Sequence, residues 1–154
     1  MRRRAWWLAA ALCGVTACAS AGVRVADLTQ TMFAPSLDVN LAASTRSPSG
    51  FYYRDLTVGT GELAQTGRRA IVRYSGWLTN GSPAEAPSQT PPTVTFRVGA
   101  GEVIRGWDRG VVGMREGGRR QLVLPPSVAY GSQMYGSVPP NSVLVFVIEL
   151  VEVR

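Results

Sequence analysis

The sequence predicts an α+β domain in which a mostly antiparallel sheet packs on one short helix. Three observations carry that reading. Residues 50–154 are short runs of β-favouring side chains separated by Gly, Pro and Asn turn signals. A single stretch, residues 106–114, has the spacing of a helix. The final run, residues 142–153, is apolar on both faces. Leu144, Phe146, Ile148 and Leu150 share one face, and Val143, Val145, Val147 and Val151 share the other, as expected of a strand central to its sheet.

Taken in chain order, residues 51–58 carry β-favouring side chains and end at Gly59, Thr60 and Gly61. Residues 70–78 set Ile71, Arg73, Ser75 and Trp77 against Val72, Tyr74, Gly76 and Leu78, which predicts a strand with one face inward. Asn80 and Gly81 predict a turn. Residues 82–92 hold four prolines and few apolar groups, so a loop or flap is expected there. Residues 94–98 alternate again.

Residues 103–110 read VIRGWDRG and place Val103, Ile104 and Trp107 beside two glycines. Such a stretch makes a dry apolar floor and offers no acid, base or metal site. The helix over 106–114 is expected to bury Trp107, Val111, Val112 and Met114 and to stop at Gly117 and Gly118. Burying an aromatic of ~150–250 Å² contributes on the order of 4–6 kcal/mol at most. Residues 120–124 form a strand ended by Pro125 and Pro126, and Pro139, Pro140 and Asn141 form a turn. Asp108, Arg105 and Arg109 are read as solvated helix-end charges, and Arg119 and Arg120 as the wet edge of a strand.

The 154 residues allow one domain with appendages. The chain has no histidine, which excludes proton relay through imidazole. All 16 basic residues are arginine, so P-loop and Schiff-base lysine chemistry are excluded too. Arg2, Arg3 and Arg4 supply half of the net charge of +6. The remaining arginines are scattered without a basic block or RNA-binding motif, so no nucleic-acid partner is expected.

The N-terminus has the layout of a secretion signal, with a basic start, an apolar run over residues 5–12 and small residues up to Cys18. The run is too short for a stable membrane span. Val15, Thr16, Ala17 and Cys18 resemble the lipobox of bacterial lipoproteins, in which the cysteine is acylated and becomes the mature N-terminus; the alternative is an ordinary cleaved signal. Cys13 fits less well, because Leu12 stands where that motif has a small residue. This divides the chain into a signal at 1–18, a tether at 19–49 and a globular domain at 50–154. Loss of Cys13 and lipidation of Cys18 leave the mature domain without a thiol. The expected location is exported and lipid-anchored, on the outer membrane facing the periplasm, since Ala19 is not the aspartate of an inner-membrane retention signal. Within the tether, Leu37, Val39 and Leu41 alternate as a short strand would, or as sticky points of a flexible linker.

An ordered set of motifs resembles the FKBP-type peptidyl-prolyl cis-trans isomerases over roughly residues 49–154. They are Val72-Arg73-Tyr74-Ser75-Gly76, the 103–110 stretch, Met114-Arg115-Glu116-Gly117-Gly118, Pro125, Ala129-Tyr130-Gly131, Val138-Pro139-Pro140-Asn141 and Leu144-Val145-Phe146. The resemblance implies a twisted antiparallel sheet curled around one short helix. It also implies a proline cleft lined by Tyr74, Phe96, Val103, Ile104, Trp107, Tyr130 and Phe146, with Val138 at its rim and Trp107 as its floor. The N–H of Ile104 and the hydroxyl of Tyr130 are implied to hold the peptide's carbonyls. The implied partners are proline-containing polypeptides and macrolide ligands of the family, with membrane contact only through the lipid. Neither a metal nor a cofactor is implied.

The sequence departs from the family at one wall. The family's Phe-Asp pair falls on Ala84 and Glu85, a frequent arginine falls on Thr90, and a further wall aromatic falls on Val94. Loss of that apolar contact is worth roughly 1–3 kcal/mol, about 10- to 200-fold in rate or discrimination. Glu85 keeps a carboxylate at the substrate site. Two function classes follow: an isomerase assisting the folding of exported proteins, and a binding module that kept the cleft with weak or lost catalysis. A general holdase is a third.

Overall fold

A computed structural model describes residues 27–84 and 91–154. Six strands form one antiparallel sheet: β1 (Thr45–Arg46), β2 (Tyr52–Thr57), β3 (Arg69–Leu78), β4 (Thr93–Arg97), β5 (Arg119–Leu124) and β6 (Leu144–Val153). Their order is β1-β2-β5-β6-β3-β4, so β6 lies inside the sheet as its two apolar faces require. One short helix, α1 (Arg105–Gly110), crosses the inner face. The α+β class is as the sequence predicts.

The period of two decides what each face holds. Gly76 pairs with Phe146 and Leu122 with Phe146 across β3, β6 and β5, all on the inner face. Trp77 pairs with Val145 and Val123 with Val145 on the outer face. Gly76 is required by packing, because a Cβ there would stand 2.4 Å from the Phe146 ring. Gly106 and Gly110 do the same for the helix: a Cβ on either would strike Leu124 or Leu122 at 2.5 or 2.8 Å. The glycines of the 103–110 stretch therefore let α1 lie close against β5.

The helix is shorter than the 106–114 expected, and Val112 is exposed rather than buried. The chain leaves the helical path because Gly113 adopts a left-handed φ of +82° and its N–H donates to Ala64 O. Val111 and Met114 are buried as expected.

The largest difference from the sequence reading concerns residues 27–49. Read as a tether, they dock on the outer face of the sheet over residues 28–41 and join its edge as β1 at Thr45–Arg46. Leu28 and Leu37 join Val123 and Val145 in a second core, with Phe33, Val39, Leu41, Tyr52 and Trp77 packed against it. The Leu37-Val39-Leu41 alternation does not make a strand. Pro35 opens a 3-10 turn, Pro35–Leu37, and Asp38 follows at a left-handed φ of 46°. Asn40 then caps another turn, Leu41–Ala43, through its side chain. The Gln121 amide donates to Leu37 O at 2.7 Å beneath this strap, and Ala34 N–H donates to Thr79 O at the end of β3.

Two charged side chains expected in solvent lie in the interior instead. Asp108 is buried, and its carboxylate accepts the N–H groups of Gly99 (2.7 Å) and Gly101 (3.1 Å), fixing the loop ahead of the helix. Arg120 is buried as well. It grips Asp55 with two bonds of 2.6 and 3.0 Å, donates to Gly110 O and Val112 O at the end of α1, and lies over the Tyr53 ring at 4.7 Å. Arg119, its neighbour, is exposed. Cys13 and Cys18 lie outside the described residues.

Candidate functional site

Trp107 arises from the first turn of α1 and is presented to the inner face of the sheet. Tyr74 on β3 meets it edge-on at 4.5 Å between ring centroids, and Phe146 on β6 meets it at 5.2 Å and 89°. Tyr74 and Phe146 stand 6.3 Å apart, closing the triangle. Such edge-to-face pairs contribute about 0.5–1.5 kcal/mol each beyond burial. The Trp107 Nε1–H is buried without a partner among the described residues.

One contiguous apolar cluster contains eight of the nine cleft residues named from sequence: Tyr74, Phe96, Val103, Ile104, Trp107, Tyr130, Val138 and Phe146. The ninth, Glu85, lies outside the described residues, as does Thr90. Within the cluster exposure is divided. Tyr74, Val103, Ile104 and Tyr130 are half-buried and form the part open to solvent. Phe96 and Val138 are 1 % and 2 % exposed, so only a sliver of either is accessible.

Ile104 immediately precedes the helix, and its carbonyl accepts the N–H groups of Trp107 and Asp108 at 3.0 and 3.1 Å. Its own N–H donates to no described residue. The loop leading to it is held by the Asp108 carboxylate, a positioning role that sequence reasoning missed. The signal was local: Gly99 and Gly101, both at positive φ, stand where a buried carboxylate needs backbone donors.

Tyr130 follows the 3-10 turn Pro126–Val128, and Gly131 N–H ties back to Pro126 O at 2.9 Å. The Tyr130 ring stacks flat on Tyr135, 4.1 Å away and 6° from parallel. Ala84, where the family has an aromatic, is buried at 3 % exposure within the same cluster. Its N–H donates to Gly76 O and its carbonyl accepts the Ser137 hydroxyl at 2.9 Å. Val94, the other wall position, is half-buried against the cluster.

The fold and site thus define a domain that presents an aromatic-floored apolar surface between a sheet and a short helix. A profile of the FKBP-type peptidyl-prolyl cis-trans isomerases matches residues 60–151. The chain is 40 % identical over 105 residues to an FK506-binding protein of Neisseria meningitidis serogroup B, covering 68 % of this chain and 96 % of that one. It is 49 % identical over 105 residues to FK506-binding protein 4 of Dictyostelium discoideum, but spans only 28 % of that protein's length. In fold it is similar to the crystal structure of AtFKBP13, with a TM-score of 0.63, 37 % identity, and 72 % and 98 % of the two chains covered. The chain belongs to the FKBP-type peptidyl-prolyl cis-trans isomerase family.

Proposed function

We propose that this domain catalyses cis-trans isomerisation of X-Pro bonds in exported polypeptides, assisting their folding. The observation that carries the reading is the Trp107 floor, walled edge-on by Tyr74 and Phe146 and bordered by half-buried Val103, Ile104 and Tyr130. A proline ring is the apolar, disc-shaped group that such a floor accepts.

The barrier to X-Pro rotation, ~18–20 kcal/mol, comes from amide resonance. That resonance places negative charge on the carbonyl oxygen, and water stabilises the charge. An apolar cleft that removes this water weakens the charge separation and favours the twisted amide. Selective binding of the twisted form supplies the differential stabilisation that catalysis requires. In this reading Ile104 N–H and the Tyr130 hydroxyl hold the peptide's carbonyls while the amide turns, and Glu85 borders the substrate. The chemistry needs no nucleophile, metal or cofactor. Macrolide ligands of the family compete for the same floor.

Acylation of Cys18 places the domain on the outer membrane facing the periplasm, where newly exported chains fold. Several acyl chains on one cysteine exceed the two-signal threshold for stable anchoring.

The test is the relaxation of a short X-Pro peptide from cis to trans, which takes tens to hundreds of seconds uncatalysed. The native chain is expected to accelerate it, and Tyr130→Phe to lower kcat/KM by about tenfold. Peptide binding without acceleration would overturn the isomerase in favour of a binding module that lost catalysis at Ala84 and Glu85. Equal suppression of aggregation for proline-free and proline-rich clients, again without acceleration, would favour a holdase.

A further inference from the structure

Beyond the strap, toward the β4 edge, the outer face of the sheet carries arginines that lie far apart in the sequence and are gathered by strand register. Arg97 stands directly opposite Arg69 across β4 and β3. Arg69 and Arg154 exchange two backbone bonds of 2.8 Å at the end of β6. Three arginines thus stand side by side across three strands. Further along the same face Arg73 and Arg119 flank Glu149 from β3 and β5. All five arginines are exposed.

Their charge is only partly balanced. Glu149 pairs with Arg73 at 3.3 Å, and Glu152 holds Arg154 with bonds of 2.6 and 3.0 Å. Glu102 accepts the backbone N–H of Arg97, not its guanidinium. Among the described residues no carboxylate forms an ion pair with Arg69, Arg97 or Arg119. Like charges set directly opposite each other destabilise a sheet, and an anion bridging Arg69 and Arg97 removes that cost. Guanidinium forks suit phosphate oxygens in particular.

We propose that this row is a docking surface for the phosphates of an anionic lipid bilayer. Charge complementarity carries the inference. Among the described residues no exposed aromatic ring stands between these arginines for a base to stack on, as a surface for single-stranded nucleic acid would offer. The strap agrees with a bilayer on this side. Leu28 packs on the outer face with Val123 and Val145, and acylation of Cys18 brings a bilayer within about 35 Å of it, ten residues at full extension. The outer face then lies on the bilayer, and the Trp107 floor on the inner face opens away from it toward exported chains. That orientation rests on the lipid-anchor reading; the docking surface does not. The row adds an electrostatic contact to the lipid, the pairing that two-signal anchoring uses.

The experiment is co-sedimentation with vesicles of phosphatidylcholine alone and of phosphatidylcholine mixed with phosphatidylglycerol. It uses the chain from residue 18 onward with Cys18→Ser, which holds every described residue and cannot be acylated. Binding to the mixed vesicles alone is expected, weakening as salt is raised. An arginine beside an anionic surface is worth about fivefold in binding, so Arg69→Gln with Arg97→Gln should weaken it about tenfold or more. Arg109→Gln with Arg115→Gln removes the same charge away from the outer face, and should change binding less than about twofold. Equal losses in the two pairs would mean attraction by net charge alone and overturn the surface. Absence of binding at low salt, or tighter binding to DNA than to the mixed vesicles, would overturn it too. Acylation plays no part in this result, and palmitate labelling of Cys18 in cells tests the lipid-anchor reading by itself.

Discussion

The inner and outer faces of this sheet are both buried, yet they are covered in different ways. On the inner face α1 lies close to β5 on glycines, and the aromatic cluster around Trp107 is left half open at Tyr74, Val103, Ile104 and Tyr130. On the outer face a strap of 3-10 turns is laid over Val123 and Val145 and held by Leu28, Leu37 and main-chain bonds. The inner cluster is aromatic, with an exposed margin. The outer one is sealed mainly by aliphatic residues at its centre. In the proposed function the same strands serve a ligand on one side and stability on the other, divided by side-chain alternation.

Substitutions on the two faces should therefore separate. Trp107→Ala is expected to have the largest effect, costing about 3–5 kcal/mol in urea unfolding through cavity formation, along with loss of peptide binding. A cost under about 1 kcal/mol would show that the floor is not part of the core. Arg120→Leu should follow at about 2–4 kcal/mol, because it strips Asp55 of its partner and leaves Gly110 O and Val112 O without their donor. Leu37→Ala should cost about 2–3 kcal/mol while kcat/KM for X-Pro peptides stays within about twofold. A parallel fall in turnover would show instead that the faces are coupled, through the Ala34–Thr79 bond at the end of β3. Gln121→Leu should have the smallest effect, about 1 kcal/mol or less. It removes the donor to Leu37 O but also a side-chain oxygen that is buried without a partner among the described residues.

The inner face was largely legible in the sequence. Alternation in β3 and β6 placed Tyr74 and Phe146 on one side, and the 103–110 stretch placed Trp107 above them. The outer face was not, although its signal was present. Val143, Val145, Val147 and Val151 make β6 apolar on its second face, and a second apolar face on an interior strand requires a cover. The strap's own sequence conceals this role, because its apolar residues serve turns that follow no single period. Asp108 and Arg120 were misread for a related reason. A charge in a strand or helix end is ordinarily solvated, and only the fold reveals the backbone donors and acceptors that satisfy these two in the interior.

The central claim is that the open margin around Trp107 turns X-Pro bonds. Relaxation of a Phe-Pro peptide from cis to trans, followed with increasing amounts of the native chain, tests it most directly. The rate is expected to rise in proportion to protein and to fall back toward the uncatalysed value in Tyr130→Phe, with Leu37→Ala behaving as the native chain. A rate that stays at background at all protein concentrations would contradict it.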